Sequence, residues 1–203
     1  MRLLPSGTRA VLVELDDLTE ARAWHAALEA HPPPGTLDLV PAARTVMVVS
    51  EPGTDLAAVR SHLEQVQVGG APAASDEVVR IPVVYDGEDL ADVAELLGID
   101  TAEVVRRHTS EEWAVAFAGY APGFGYCAGT RFDWDVARRS EPRTAVPAGS
   151  VALAGEFTGV YPRKGPGGWQ LIGRTDERMF DPDRDPAALL RPGVRVVFEA
   201  ADA

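Results

Sequence analysis

Between Gly119 and Gly173 the chain carries eleven glycines and five prolines, with short apolar runs standing between them. Glycine and proline at that density cut regular structure into short pieces joined by turns. The runs that remain, VALA at 151–154, WQLI at 169–172 and VRVVF at 194–198, have strand length and strand composition. So does WAVAFA at 113–118, just before the glycine-rich region. Short strands with Gly/Pro turns point to a β-barrel or sandwich.

The first part of the chain has a different texture. TRAVLVEL at 8–15, TLDLV at 36–40 and RTVMVVS at 44–50 read as strands. TEARAWHAALEAH at 19–31 predicts a helix, with Trp24, Ala27, Leu28 and His31 at helical spacing and Pro32-Pro33-Pro34-Gly35 as its stop. TDLAAVRSHLEQV at 54–66 predicts a second, with Leu56, Val59, Leu63 and Val66 on one stripe. Residues 69–75 form a linker by composition. The order suggests a small α+β domain of ferredoxin-like type, βαββαβ, over residues 1–77, with a mainly β domain over 78–203. The run VVRIPVV at 78–84 is either the last strand of the first domain or the first of the second. Short helices are expected at 88–97, stopped by Gly98, and at 101–108 with Thr101 as N-cap.

The chain has 203 residues and a formal charge of -12. An acidic balance disfavours extended nucleic-acid binding, which needs a basic surface. No window reaches the roughly 18 apolar residues of a membrane span, and MRLLPSGTRA lacks the apolar core of a secretory signal. A lone cysteine, Cys127, cannot make an intramolecular disulfide or a cysteine-based zinc site, so the chain reads as cytoplasmic. The charge is uneven. Residues 86–112 hold nine acids against Arg106 and Arg107, whereas residues 119–174 hold four acids against Arg131, Arg138, Arg139, Arg143, Arg163, Lys164 and Arg174. Such a basic segment either holds a carboxylate or phosphate, or pairs with the acidic helical region.

Standard motifs are missing: there is no P-loop, no dinucleotide fingerprint, no H-E-x-x-H and no G-x-S-x-G, and the histidines stand apart at 25, 31, 62 and 108. No metal site is expected.

Four longer blocks are more specific: RHTSEEW at 107–113, GYAPGFGYCAG at 119–129, PRTAVPAGSVALA at 142–154 and YPRKGPGGWQLIGRT at 161–175. In this order and spacing they resemble the B-type component family of bacterial ATP-dependent 5-oxoprolinase, also called allophanate hydrolase subunit 1 or Kip inhibitor. The resemblance runs from about Thr8 to Phe198. It implies a small α+β domain followed by a cyclophilin-like barrel, the unit also found in the carboxyltransferase part of urea carboxylase. It implies a homologous second subunit, which is the C-type component of 5-oxoprolinase or allophanate hydrolase subunit 2. It implies a third, the A-type component of 5-oxoprolinase, and ATP at the level of the assembled enzyme. The implied reaction opens the lactam of 5-oxo-L-proline to L-glutamate. Inhibition of a histidine kinase and hydrolysis of a urea-derived amide are the alternatives within the same family.

Opening a resonance-stabilised lactam calls for anion-binding groups and a dry pocket for a small flat ring. Arg143, stiffened by Pro142, and Lys164, before Gly165-Pro166-Gly167-Gly168, are the candidate anion contacts. A structural ion pair and a solvated turn are their plain readings. Tyr120, Phe124, Tyr126, Tyr161 and Trp169 sit beside or near glycines and are candidates to line the pocket. Ser150 is a candidate catalytic hydroxyl without an identifiable base. His108 is placed at a helix C-terminus, where the dipole favours protonation, and is a candidate acid or base. Gln170 is a candidate hydrogen-bond donor to substrate. Cys127 reads as packing and not as a nucleophile.

Overall fold

Arg2–Ser6 (β1) and Ala10–Glu14 (β2) pair in antiparallel register from Arg2↔Glu14 to Ser6↔Ala10. The structure is a computed structural model and describes residues 1–72 and 75–202. Ala73 and Ala74, within the expected linker, and Ala203 lie outside the described residues. The chain divides into two units, Met1–Ala73 and Ala74–Ala203.

In the first unit α1 (Leu18–Ala30) follows β2, then β3 (Thr36–Pro41), β4 (Thr45–Ser50) and α2 (Leu56–Leu63). Asp17 caps α1 by accepting from the Glu20 N–H at 2.8 Å, and the Glu20 carboxylate accepts from the Asp16 N–H at 2.8 Å. The first bond satisfies one of the N–H groups that a helix start leaves orphaned, and the second ties the chain before the cap to the first turn. Asp55 caps α2 through the Ala57 N–H, which starts that helix at Leu56, the first residue of its apolar stripe and two residues after the expected start. Val11, Val13, Trp24, Leu28, Val46, Val48, Val59 and Leu63 form the core. The sheet order is β1-β2-β4-β3, all antiparallel.

The order of elements is therefore ββαββα where βαββαβ was expected. β1 occupies the edge beside β2 that a closing strand would have taken. Pro5 hid it in the sequence, yet a proline is compatible with an edge strand, where one face of the ladder needs no donor.

The ambiguous run is β5 (Val78–Val83), and it belongs to the second unit. It lies parallel to β13 (Arg195–Ala200) with six residue pairs from Val78↔Arg195 to Val83↔Ala200. Its alternation places Val79, Ile81 and Val83 in the core. Two helices follow, α3 (Leu90–Leu97) and α4 (Thr101–Ser110). Gly98 ends α3 in the left-handed conformation, at φ +66°. Asp100, one residue before the expected Thr101, caps α4 through the Glu103 N–H. The remaining strands are β6 (Trp113–Ala118), β7 (Gly125–Gly129), β8 (Arg143–Val146), β9 (Ser150–Ala154), β10 (Phe157–Val160), β11 (Gly165–Gly167) and β12 (Gln170–Arg174). Seven of the unit's strands form one sheet in the order β12-β9-β10-β7-β6-β13-β5, and β8 pairs with β11 separately.

The chain just after β5 returns to β12 and nearly closes this sheet into a barrel. Val84 and Arg174 exchange two N–H···O bonds of 2.9 Å, and the Asp89 N–H donates to the Leu171 carbonyl at 2.9 Å. Two glycines make the seam possible. A Cβ on Gly87 would stand 2.3 Å from the Leu171 carbonyl oxygen, and one on Gly173 would stand 2.6 Å from the Val84 carbonyl oxygen. Both obstacles are backbone, so neither can swing away. Gly87→Ala should accordingly lower stability by about 2 kcal/mol, the scale of an overpacked contact. Urea unfolding measures this, and an unchanged midpoint would show that the seam accommodates a methyl group.

Candidate functional site

Asp89 lies at the start of α3, where the returning chain meets β12, and its side chain is only 2% exposed. A lone carboxylate in such a place costs several kcal/mol. Here it is surrounded by donors. The Arg143 guanidinium donates through Nη1 to Oδ2 at 2.9 Å and through Nη2 to Oδ1 at 2.8 Å. Arg139 Nη1 donates to Oδ1 at 2.7 Å, and the Leu171 backbone N–H to Oδ2 at 2.7 Å. Burial by itself pushes the Asp89 carboxyl up. The Arg143 and Leu171 hydrogen bonds, with the charges of Arg143 and Arg139, outweigh it and hold the group below the usual carboxylate range. Arg143 also reaches Glu88 at 3.1 Å. The expected anion contact at Arg143 is thus filled by the protein's own carboxylates: a bidentate fork on Asp89 leaves no planar face for a ligand.

Three other expected residues, His108, Ser150 and Gln170, are buried. His108 is fully buried, because it shares a helical face with Val104 and that face turns into the core. Its ring lies against Phe198, with centroids 4.5 Å apart. Nδ1 is 2.7 Å from the Tyr85 hydroxyl and Nε2 is 2.8 Å from Thr158 Oγ1. Since Thr158 donates onward to the Ala152 carbonyl, Nε2 carries the proton and Nδ1 accepts from Tyr85. Desolvation lowers its pKa to about 3, so the helix-dipole expectation of a protonated imidazole is overturned by burial. Ser150 begins β9 and is buried, with no base hydrogen-bonded to its hydroxyl among the described residues. Gln170 is also buried, and its Nε2 donates to the Ala137 carbonyl at 3.0 Å, which ties β12 to the segment before β8. Cys127 is buried in the core and its thiol is pushed up to about 12, consistent with packing.

The aromatic residues do come together. Phe124, Tyr161 and Trp169 are buried and Tyr126 is half-buried. Phe124 meets Tyr126, Tyr161 and Trp169 edge-to-face at 5.0, 5.4 and 5.3 Å. Tyr120 joins them at 5.2 Å from Phe124 and 5.7 Å from Tyr161, and Phe117 stacks on Tyr126 at 4.3 Å. Tyr120 is half-exposed and holds φ at +62°, alone among the described non-glycine residues in positive φ. Such a conformation is costly for a side chain of this size. A hydrogen bond from its hydroxyl to the Pro166 carbonyl, 2.7 Å, ties it to β11.

The glycines of β11 are explained by these phenols. A Cβ on Gly165 would lie 2.5 Å from the Tyr120 hydroxyl oxygen, and one on Gly167 would lie 2.2 Å from that of Tyr161. The two glycines pair with Val146 and Arg143 of β8. The run after Lys164 is therefore a strand that makes room for tyrosines.

The basic residues of this region sort into two groups. Arg139 and Arg143 pair with Asp89, Arg174 pairs with Asp86, and Arg131 donates to the Ser110 carbonyl. Arg138, Arg163 and Lys164 are exposed, and none has a carboxylate within 4.0 Å among the described residues. Arg138 was not singled out in the sequence. It is placed by its neighbour, because the Arg139 N–H donates to the Gly168 carbonyl at 2.8 Å, next to Gly167 and the Tyr161 hydroxyl. Its charge acts on the phenols of both Tyr126 and Tyr161. Burial nevertheless keeps both phenols protonated, with Tyr161 pushed up to about 12.

Residues 1–190 match the family described as carboxyltransferase domain, subdomain C and D. The chain is 38% identical over 201 residues to the B-type component of 5-oxoprolinase from Escherichia coli O157:H7, covering 95% of this chain and 92% of that one. It is 39% identical over 197 residues to the B-type component of 5-oxoprolinase from Bacillus subtilis (strain 168), covering 86% and 80%. Among solved structures, TTHA0988 superposes with a TM-score of 0.77 at 35% identity over 96% of this chain. The match spans only 40% of TTHA0988. The urea amidolyase of K. lactis has a TM-score of 0.78 at 19% identity, a likeness of fold that spans 98% of this chain and 15% of that one.

Two outcomes are expected from this geometry. Arg143→Ala should cost about 3 kcal/mol, as for breaking a buried ion pair, and thermal unfolding will read it. A variant that melts like the parent would mean that Arg139 and Leu171 suffice for Asp89. For His108, the unfolded chain takes up the proton near its ordinary pKa of about 6.5, while the folded protein does so only at about 3. The stability tied to the neutral ring is whole above pH 6.5 and is lost as pH falls from there toward 3. His108→Gln should flatten the pH dependence of unfolding free energy between about pH 6.5 and 5, where few carboxylates titrate. An identical slope in both proteins would contradict the buried neutral imidazole.

Proposed function

The chain belongs to the carboxyltransferase subdomain C and D family, and from that membership we propose that it is the B-type component of a multi-subunit, ATP-dependent 5-oxoprolinase. The reading is carried by nearly full-length identity of 38% to a 5-oxoprolinase component of that type. Its substrate is 5-oxo-L-proline and its product L-glutamate. Its partners are a homologous second component of the C type and a third of the A type.

The site suits half of such an enzyme. Half-exposed Tyr120 and half-buried Tyr126, at the margin of the buried Phe124, Tyr161 and Trp169 cluster, are the aromatic surface offered to a small flat lactam ring. The neutral phenol of Tyr126 can donate a hydrogen bond to an amide oxygen without bringing a competing negative charge. Exposed Arg138, Arg163 and Lys164 favour an anionic ligand there. Among the described residues no nucleophile stands bonded to a base: Ser150 has none, His108 is enclosed, and Cys127 is packed in the core. Nor do the residues after Lys164 fit a triphosphate, since their glycines accommodate tyrosine hydroxyls. ATP supplies phosphorylation of the amide oxygen, which opens the carbon to water, and we assign its binding to the assembled enzyme. This chain's part is to bind and orient the ring and to exclude water from one side of it.

Two preparations test the proposal. The purified single chain is expected to release no glutamate from 5-oxoproline with ATP. The complex co-expressed with both partners is expected to do so. Turnover by the single chain would remove the composite site, and an inert complex would remove the 5-oxoprolinase reading altogether.

A further inference from the structure

The histidines stand apart in the sequence, and the fold gives them different surroundings. His108 is enclosed, with both ring nitrogens hydrogen-bonded. His25 has its Nδ1 3.6 Å from the Glu29 carboxylate. The remaining two meet. His31 ends α1 and His62 stands in the last turn of α2. Both helices bury their final turns in one core, through Leu28 and Leu63. The two ends line a cavity of about 430 Å³, with Ala27, His31, His62, Gln65, Val66 and Gln67 in its wall.

The orientation of His62 is fixed. Its Nε2 lies 3.2 Å from the His31 carbonyl oxygen. A carbonyl only accepts, so Nε2 carries the proton and donates, and the neutral ring keeps its lone pair on Nδ1. A ring N–H held by a backbone carbonyl, with the opposite nitrogen left as the donor of a lone pair, is how metal-ligating histidines are oriented. His31 is exposed on the same cavity, and Gln65 and Gln67 bring carboxamide oxygens from the turn after α2. No lysine or arginine is among the lining residues. The last turn of a helix carries partial negative charge, which favours a cation.

We propose that His31 and His62 bind a divalent late transition-metal ion in this cavity, through two imidazole nitrogens completed by carboxamide oxygen and water. Among the described residues no third His, Cys, Asp or Glu joins them, so the closed four-ligand set of a structural zinc is not formed. A mixed nitrogen–oxygen set suits copper(II) and nickel(II), and copper(II) is held most tightly of the first-row divalent ions. Sequence spacing hid the pair, because its members come from two helices. The site lies wholly in the first unit and does not depend on the 5-oxoprolinase reading.

The test uses the full chain without an affinity tag, and copper(II) as the probe. Isothermal titration gives affinity and stoichiometry, and electron paramagnetic resonance counts the coordinated nitrogens. The parent should bind one ion per chain through two imidazoles. His31→Gln and His62→Gln should each weaken binding by at least about tenfold and leave a single coordinated nitrogen. The double variant should lose the one-to-one site. His25→Gln, in the wall of a different cavity, should match the parent within about twofold, as expected for an independent position. Melting temperature without metal reports whether the variants are folded. Should His62→Gln melt early through loss of its bond to the His31 carbonyl, His31→Gln decides, since that substitution leaves the carbonyl in place. A parent without one-to-one binding overturns the inference. So does a double variant that binds as the parent does, or a parent signal with fewer than two nitrogens, either of which would put the ion elsewhere on the chain. Each of these failures leaves the 5-oxoprolinase reading standing.

Discussion

The Asp89 carboxylate is the point on which the second unit's geometry depends. Its four hydrogen bonds come from three separate stretches: Arg139 before β8, Arg143 within β8, and Leu171 in β12. Asp89 itself follows the chain that closes the barrel, and its N–H also bonds Leu171. One buried anion thereby joins the seam, the two-stranded β8/β11 piece and the start of α3. Hydrogen bonds to charge are worth more than neutral ones, and an unpaired buried carboxylate is costly, so the arrangement is all-or-none in character. Loss of one donor is felt by the others.

A second buried polar chain holds α4 to the strands. Tyr85 follows β5, His108 stands in the last turn of α4 and Thr158 lies in β10, and two hydrogen bonds of 2.7 and 2.8 Å connect them. The Trp113 indole N–H adds a bond of 2.9 Å to the His108 carbonyl. These bonds fix the helix against the sheet in one register, where aliphatic packing alone would tolerate small shifts. The donor–acceptor order is complete only with a neutral imidazole, and burial supplies that protonation state.

Much of this was legible from the residues. The short-strand texture of residues 119–173 follows from their glycine and proline density, and the helix positions follow from apolar spacing. What could not be read was long-range. β5 finds its partner in β13 at the other end of the chain, so nothing local says which domain it serves. The edge strand β1 is short and carries Pro5, a residue that argues against a central strand but not against an edge. His108 did have a signal, because it stands four residues after Val104 on one helical face and both are fully buried. The arginines had none. Arg138, Arg139 and Arg143 are chemically identical in sequence, and only the fold decides which of them meets Asp89.

That division of arginines gives the local excess of positive charge its meaning. Residues 119–174 carry seven basic side chains against four acids, and the simplest expectation is that the excess pairs with the acidic stretch at 86–112. The structure realises this for Arg139, Arg143 and Arg174, and those pairs bear on folding. Had all seven been paired with carboxylates, this stretch would carry no free cation at its surface. Had none been paired, Asp89 would be a buried anion without compensation, and strand β8 would lose its anchor. The protein uses one group of cations to anchor β8 and the seam and leaves Arg138, Arg163 and Lys164 exposed. Because the Arg139 N–H is bound to the Gly168 carbonyl, the segment before β8 is referenced to the residue that follows β11, the strand that makes room for the Tyr120 and Tyr161 hydroxyls. Fold and site are connected there through backbone, which yields less than a side chain does.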